Sequence, residues 1–233
     1  MKELEDAAWF PPLFRNFQTA FIGFVVTRFN FYTTFLEYLQ GLSLEKRTMT
    51  DLCSGSGEPA ISIFKQSRCF SSLVLTDKYP NVMQSKMDRV SYSTQTIDVL
   101  KMEFEEGTCY TMFNSFHHFT DKEKRHIVTK MQASSAGGFF VEVLEPTVIC
   151  FLKVLLMTTV GNLLLTPFVH PFSVKRIFFT YIIPVNIFTI TTDGLISVLK
   201  SRSVKQYRRL FPEQSIKILR LKSAMGAIIV IHI

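Results

Sequence analysis

The sequence predicts an α/β fold: a mostly parallel sheet with an antiparallel last strand, a helical preface before it and an apolar helical insertion within it. Three observations carry this. From Thr48 to Glu145 short apolar runs alternate with polar loops and helical stretches, the rhythm of strands joined by crossover helices. A glycine-rich bend, Asp51-Leu52-Cys53-Ser54-Gly55-Ser56-Gly57-Glu58-Pro59-Ala60, falls where a strand gives way to a helix. The chain ends on two β-rich runs with Gly226 near the turn between them. The 233 residues suit one domain with an elaboration. With 47% hydrophobic and 19% charged residues the chain is not disordered, and ten Gly with nine Pro exclude a collagenous one.

Residues 1–47 read as the helical preface. Phe17, Ala20, Phe21, Phe24 and Val25, then Phe35, Leu36, Tyr38 and Leu39, recur at helical spacings. Pro11 and Pro12 stand where the first helix starts, the place where a missing N–H has no intrahelical partner. The aromatic stripe reads as core packing; a flap over a cleft is the alternative. Residues 48–146 and 200–233 form the sheet domain, with strands expected at Met49 to Leu52, Leu73 to Thr76, Tyr110 to Phe113 and Phe139 to Val143. Thr120-Asp121-Lys122-Glu123 has the form of a capping box and opens a helix to about Gln132, after which Gly137-Gly138 turns the chain. Ser203-Val204-Lys205-Gln206 opens another that Pro212 stops. Ile216 to Leu221 and Ala227 to Ile233 then close the chain as a hairpin.

Glycines at a strand-to-helix bend let backbone approach a ligand where a Cβ would collide. About twenty residues beyond Gly57, at the end of the Leu73 to Thr76 strand, stands Asp77, where dinucleotide-type folds keep a carboxylate for ribose hydroxyls. At this point the sequence resembles the class I S-adenosylmethionine (SAM)-dependent methyltransferases. Asp51, Gly55 and Gly57 match the first motif of that family, acidic-x-Gly-x-Gly-x-Gly, with Cys53 in place of its first glycine. Asp77 falls at the family's ribose-binding acidic residue. Ile97-Asp98-Val99-Leu100 is similar to its third motif, which implies that Asp98 meets the adenine amino group. Asn114-Ser115-Phe116-His117-His118 resembles its loop after strand four, and Gly137 to Glu142 its turn into strand five. The resemblance spans about 48–146 and, more weakly, 200–233. It implies a Rossmann-like class I methyltransferase sheet with SAM as cofactor, held by Asp51, Cys53, Gly55, Gly57, Asp77, Asp98 and Asn114.

Plainer readings stand beside these. Asp51 and Asp98 also suit a strand end and a turn, where Asp bonds local backbone. His117 and His118 are candidates to line the junction with the acceptor, one of them as a general base. No carboxylate–His spacing joins them and His126 into a metal site, so no metal is expected. Cys53, Cys69, Cys109 and Cys150 lie far apart, as reduced thiols rather than a disulfide framework. The opening Met1-Lys2-Glu3-Leu4-Glu5-Asp6 is too acidic for the basic region of a signal peptide, and a cytoplasmic location is expected, with the inner face of a membrane as the finer alternative.

Residues 147–199 form the apolar insertion. Val148 to Phe168 carries one charge, Lys153, and Ile177 to Leu199 one, Asp193, so each is long enough to cross a bilayer. Pro184, Asn186 and the threonines of the second segment argue against crossing, as do Lys175 and Arg176 at what would be the translocated tip. The favoured reading is a helical cap over the acceptor cleft that dips into one leaflet; a spanning hairpin and a soluble lid or dimer surface are the alternatives. Asp193 is either a substrate contact or, preferentially, a helix cap before Leu195. A net charge of +7 suits an anionic membrane face. Outside 200–209 there is no Lys/Arg cluster with interleaved aromatics, which makes a nucleic-acid methylase a minor reading. The expected function is therefore a methyltransferase of the EC 2.1.1 class acting on a hydrophobic small-molecule or lipid-like acceptor. A catalytically silent scaffold, using the insertion for a protein or membrane partner, is the competing reading.

Overall fold

A computed structural model describes residues 2–42, 47–80, 87–212, 215–223 and 226–233. The preface is α1 (Pro12–Arg28) and α2 (Thr33–Gln40), with Pro12 as the first helical residue. Strands β1 (Arg47–Asp51), β2 (Phe70–Asp77), β3 (Val90–Thr96), β4 (Cys109–Phe113) and β5 (Gly137–Glu142) follow, with α3 (Ala60–Ser67) and α4 (Asp121–Ala133) among them. After the insertion come α9 (Val204–Leu210), β6 (Lys217–Ser223) and β7 (Gly226–His232). The seven strands lie in the order β3-β2-β1-β4-β5-β7-β6, parallel except for β7, which runs antiparallel to both neighbours. This is the expected fold class. Residues 224–225, where the sequence places the hairpin turn, lie outside the described residues.

Strands β4 and β5 are buried on both sides, which is why they read as largely apolar runs rather than alternations. Along β5, Phe139 and Val141 face the core shared with α1, α2 and α3, while Phe140 faces the opposite one with Met112, Ile127 and Tyr207. Both expected capping boxes form. Thr120 Oγ1 accepts the Glu123 N–H while the Glu123 carboxylate takes the Thr120 N–H at 2.7 Å, and Ser203 and Gln206 do the same at α9. Strand β3 has no counterpart among the expected strands. It is an edge strand with Ser91, Thr94, Gln95 and Thr96 partly or wholly exposed, so it needs no apolar face. The other edge, β6, exposes Lys217, Arg220 and Lys222.

The insertion begins as one helical run, Val148–Phe168, 21 residues long and little buried. It comprises α5 (Val148–Leu156), a π turn at Met157–Gly161, α6 (Asn162–Leu165) and a 3₁₀ turn at Thr166–Phe168. The second apolar segment is not one rod but α7 (Val174–Tyr181) and α8 (Val185–Lys200), bent by 80° at the Pro184 break. Helix α8 packs between α5 and α1. Arg176, expected at an exposed tip, is instead buried against the Phe17 ring and donates to the carbonyls of Val169 and Pro171, closing the loop from inside.

Candidate active site

The carboxyl ends of β1 and β2 and the turn after β3 open on one cleft of about 490 Å³. Cys53, Gly55, Asp77, Asp98 and His118 line it together, with Glu5, Asp6, Arg15 and Thr19 from the preface on the facing side. The bend after β1 is shaped by its glycine. Gly55 has φ +51°, and a Cβ there would sit 2.9 Å from Thr19 Cγ2 on α1. Its N–H donates to Asp77 Oδ2 at 2.8 Å, and its carbonyl accepts the Tyr92 hydroxyl at 2.7 Å. Asp77 Oδ1 accepts the Tyr79 N–H at 2.8 Å; burial raises the carboxyl's pKa, and these N–H bonds oppose that rise. Asp98 accepts the Leu100 N–H at 3.1 Å and faces Lys78 Nζ at 3.2 Å. Burial pushes the Cys53 thiol well above its ordinary pKa, so it is no thiolate nucleophile.

Other sequence-predicted residues lie off the cleft wall. Asp51 is buried behind the bend, its Oδ1 taking the Thr111 hydroxyl at 2.7 Å, and burial lifts its pKa to about 7. Gly57 packs under the bend, against Ile61 and Leu75. Asn114 lines a different, mainly apolar cavity of about 120 Å³, with Phe21, Val25, Met157 and Ile190. His117 does not reach the cleft. It is buried, with Nδ1 2.6 Å from Glu142 Oε2, while the other Glu142 oxygen accepts the Phe116 N–H at 2.7 Å. Asp193 is not a helix cap, because it lies inside α8. Its carboxylate accepts the N–H groups of Leu4 at 2.7 Å and Glu5 at 3.1 Å and the Gln18 amide at 3.2 Å, and it borders the apolar cavity.

Sequence reasoning missed the segment that covers the cleft. Residues 3–7 lie across it, held by Asp193 and by Arg15, whose guanidinium donates to the carbonyls of Glu5 and Ala7 at 3.0 Å each and sits 4.0 Å from the Tyr79 ring. Glu5 borders both hollows, and burial pushes its pKa up to about 7. Glu3 is buried against Lys200 Nζ at 2.9 Å. Burial alone would depress His118, but its bond to Asp6 and the nearby Glu3 and Glu5 outweigh that and raise its pKa to about 9. The acidic opening run was the available signal, yet its partners are distant in sequence.

No family model matches the sequence, and no curated protein matches it. Among solved structures, the chain is similar to one in the complex between the Haloferax volcanii Trm112 methyltransferase activator and the putative methyltransferase, at 11% identity over 94% of this chain and 96% of that one, TM-score 0.58. It is also similar to an O-methyltransferase family 2 protein from Planctomyces limnophilus in complex with apigenin (15% identity, 91% of this chain, 58% of that one, TM-score 0.53). The pyocyanin biosynthetic protein PhzM is a further match (13% identity, 85% and 53%, TM-score 0.51). The chain spans little more than half the length of these last two. What is shared at such identities is the fold, that of the class I SAM-dependent methyltransferases.

Proposed function

We propose that this chain is a SAM-dependent methyltransferase whose acceptor is a hydrophobic small molecule or lipid-like compound, and that it works at a membrane surface. The observation that carries the reading is the shared cleft. Gly55, Asp77 and Asp98 meet at the carboxyl edge of a parallel sheet, where open α/β folds take their ligands. The residues fit the cofactor: a carboxylate at Asp77 for the ribose hydroxyls, Asp98 beside Ile97, Val99 and Leu100 for the adenine, and a bend at Gly55 that puts no side chain into the cleft. When bound, SAM supplies an electrophilic methyl group on a sulfonium. The chain's task is then to hold the acceptor in line and keep water out, which needs little acid or base chemistry. Residues 3–7 and α1 cover the cleft, and the apolar cavity, which shares Glu5 with it, suits a greasy acceptor group.

The membrane part rests on the outer face of the insertion. Val148, Ile149, Leu152, Leu156, Val160, Leu163, Leu164 and Phe168 are exposed at helical spacing along one stripe. Phe172, Val174, Phe178, Ile182 and Phe188 are exposed on the segments that follow. An apolar surface of that extent calls for a lipid or protein cover.

Calorimetric titration of the full chain with SAM and with S-adenosylhomocysteine tests the cofactor claim. Binding in the micromolar range is expected. Asp77→Ala removes a charged acceptor worth about 1.5–3 kcal/mol, a loss of roughly 10–100-fold in affinity. A wild-type chain that binds neither ligand refutes the enzyme and favours the scaffold; an unchanged affinity in the variant removes Asp77 from the site.

A further inference from the structure

Beside the cleft, His117 and His118 sit next to each other in the short 3₁₀ turn Phe116–His118 after β4, and the fold carries Glu3 to them from the other end of the sequence. Each imidazole is held through Nδ1 by its own carboxylate. His117 Nδ1 lies 2.6 Å from Glu142 Oε2, and His118 Nδ1 lies 3.1 Å from both oxygens of Asp6. A carboxylate on Nδ1 keeps a proton there, so Nε2 is the nitrogen a metal would take; at His118, whose carboxylate neighbours favour the imidazolium, the ion displaces the Nε2 proton. His118 Nε2 is 3.3 Å from Glu3 Oε2, and the ligating atoms of Glu3, His117 and His118 all lie within 4.8 Å of one another. His117 is 1% exposed, yet its Nε2 makes no hydrogen bond among the described residues. A buried polar atom without a partner, on a residue clustered with two other ligating groups, is costly unless something fills the space among them.

We propose that Glu3, His117 and His118 form a binding site for one divalent first-row transition ion of the Zn²⁺ class, with Glu142 and Asp6 as the outer carboxylates that orient the two imidazoles. Two imidazole nitrogens and one carboxylate oxygen are a three-ligand set that zinc accepts while keeping a further position open. Bonds of about 2.0–2.1 Å require ligand atoms roughly 3.3 Å apart, the separation His118 and Glu3 already have; His117 has to move by on the order of 1 Å. Nitrogen donors disfavour Ca²⁺ and Mg²⁺, which take oxygen. Glu3 also accepts from Ser197 Oγ at 3.0 Å and Lys200 Nζ at 2.9 Å, so the ion shares that carboxylate with them. The carboxylates Glu3, Glu142 and Asp6 outnumber the nearby cations Lys200 and Lys124, which leaves room for a further positive charge once His118 is neutral. The ion ties the segment covering the cleft to the loop after β4, and its open position borders the cleft through His118. This departs from the expectation of no metal, which rested on local spacing; the carboxylate comes from more than a hundred residues away. The site does not depend on the methyl-transfer reading.

The test uses full-length protein stripped with a chelator, titrated with Zn²⁺ by calorimetry and with Co²⁺ by visible absorption. One ion per chain is expected. Glu3→Gln and His117→Gln abolish that binding, and Glu142→Gln, which leaves the three ligands in place, weakens it by roughly 10–100-fold. X-ray absorption of the Zn²⁺-loaded wild type serves if a variant does not fold, with imidazole and oxygen scattering and no sulfur expected. Absence of stoichiometric binding, a sulfur shell, or unchanged affinity in folded Glu3→Gln and His117→Gln overturns the site.

Discussion

Replacing Asp193 by Ala should release the segment that covers the cleft, and the size of the effect follows from the contacts. Three donors lose one acceptor: the N–H groups of Leu4 and Glu5, at 2.7 and 3.1 Å, and the Gln18 amide at 3.2 Å. A hydrogen bond to a charged group is worth about 1.5–3 kcal/mol, less for the two longer ones. The carboxylate's own burial, the cause of its raised pKa, returns part of this, as does water reaching the freed amides. A net loss of about 2–4 kcal/mol is expected. At this chain length each kcal/mol lowers Tm by about 2–4 °C, so the variant should melt roughly 4–16 °C below the wild type. Asp193→Asn, which keeps one acceptor oxygen, should fall between them. Scanning calorimetry gives the shift, and hydrogen exchange reports whether the Leu4 and Glu5 amides lose protection. A Tm within about 1 °C of the wild type, with those amides still protected, would refute the claim that Asp193 fastens the segment.

Asp51 carries a pH dependence whose sign is fixed. With a folded pKa near 7 against an ordinary 3.8, the native chain binds more protons than the unfolded one across that window, so this group's contribution to stability falls as pH rises from about 4 to 7. Asp51→Asn, able to keep the Thr111 bond, should flatten the decline seen in denaturant midpoints between those pH values; an unaltered pH profile would count against it. For the insertion, flotation with anionic liposomes should persist in high salt, because apolar burial is not screened as charge pairing is, and should fail in the double variant Leu152→Glu, Leu156→Glu. Release by salt, or undiminished flotation of the double variant, would exclude seating of the stripe in lipid.

What could be read in the sequence was what the chain decides locally. The bend around Gly55, the strand-end Asp77 and the two capping boxes each need only neighbouring residues, and the strands β4 and β5 announce themselves because burial on both faces makes them largely apolar. Strand β3 was invisible because an edge strand with a polar sequence satisfies its backbone on one side and water on the other. The same limit hid Asp193, which looked like a cap because Asp favours helix starts; only the fold puts the N–H groups of Leu4 and Glu5 in its reach. Glu3, Glu5 and Asp6 likewise acquire meaning only beside His118 and Lys200.

The two rims of the sheet differ in chemistry but agree in effect. One margin is hydroxyl- and amide-rich, the other studded with lysine and arginine, and neither offers a foreign strand a dry, neutral place to zip on. Copies of this protein that crowd together are therefore steered away from ladder-like stacking, and whatever self-association occurs is left to the greasy helical flank.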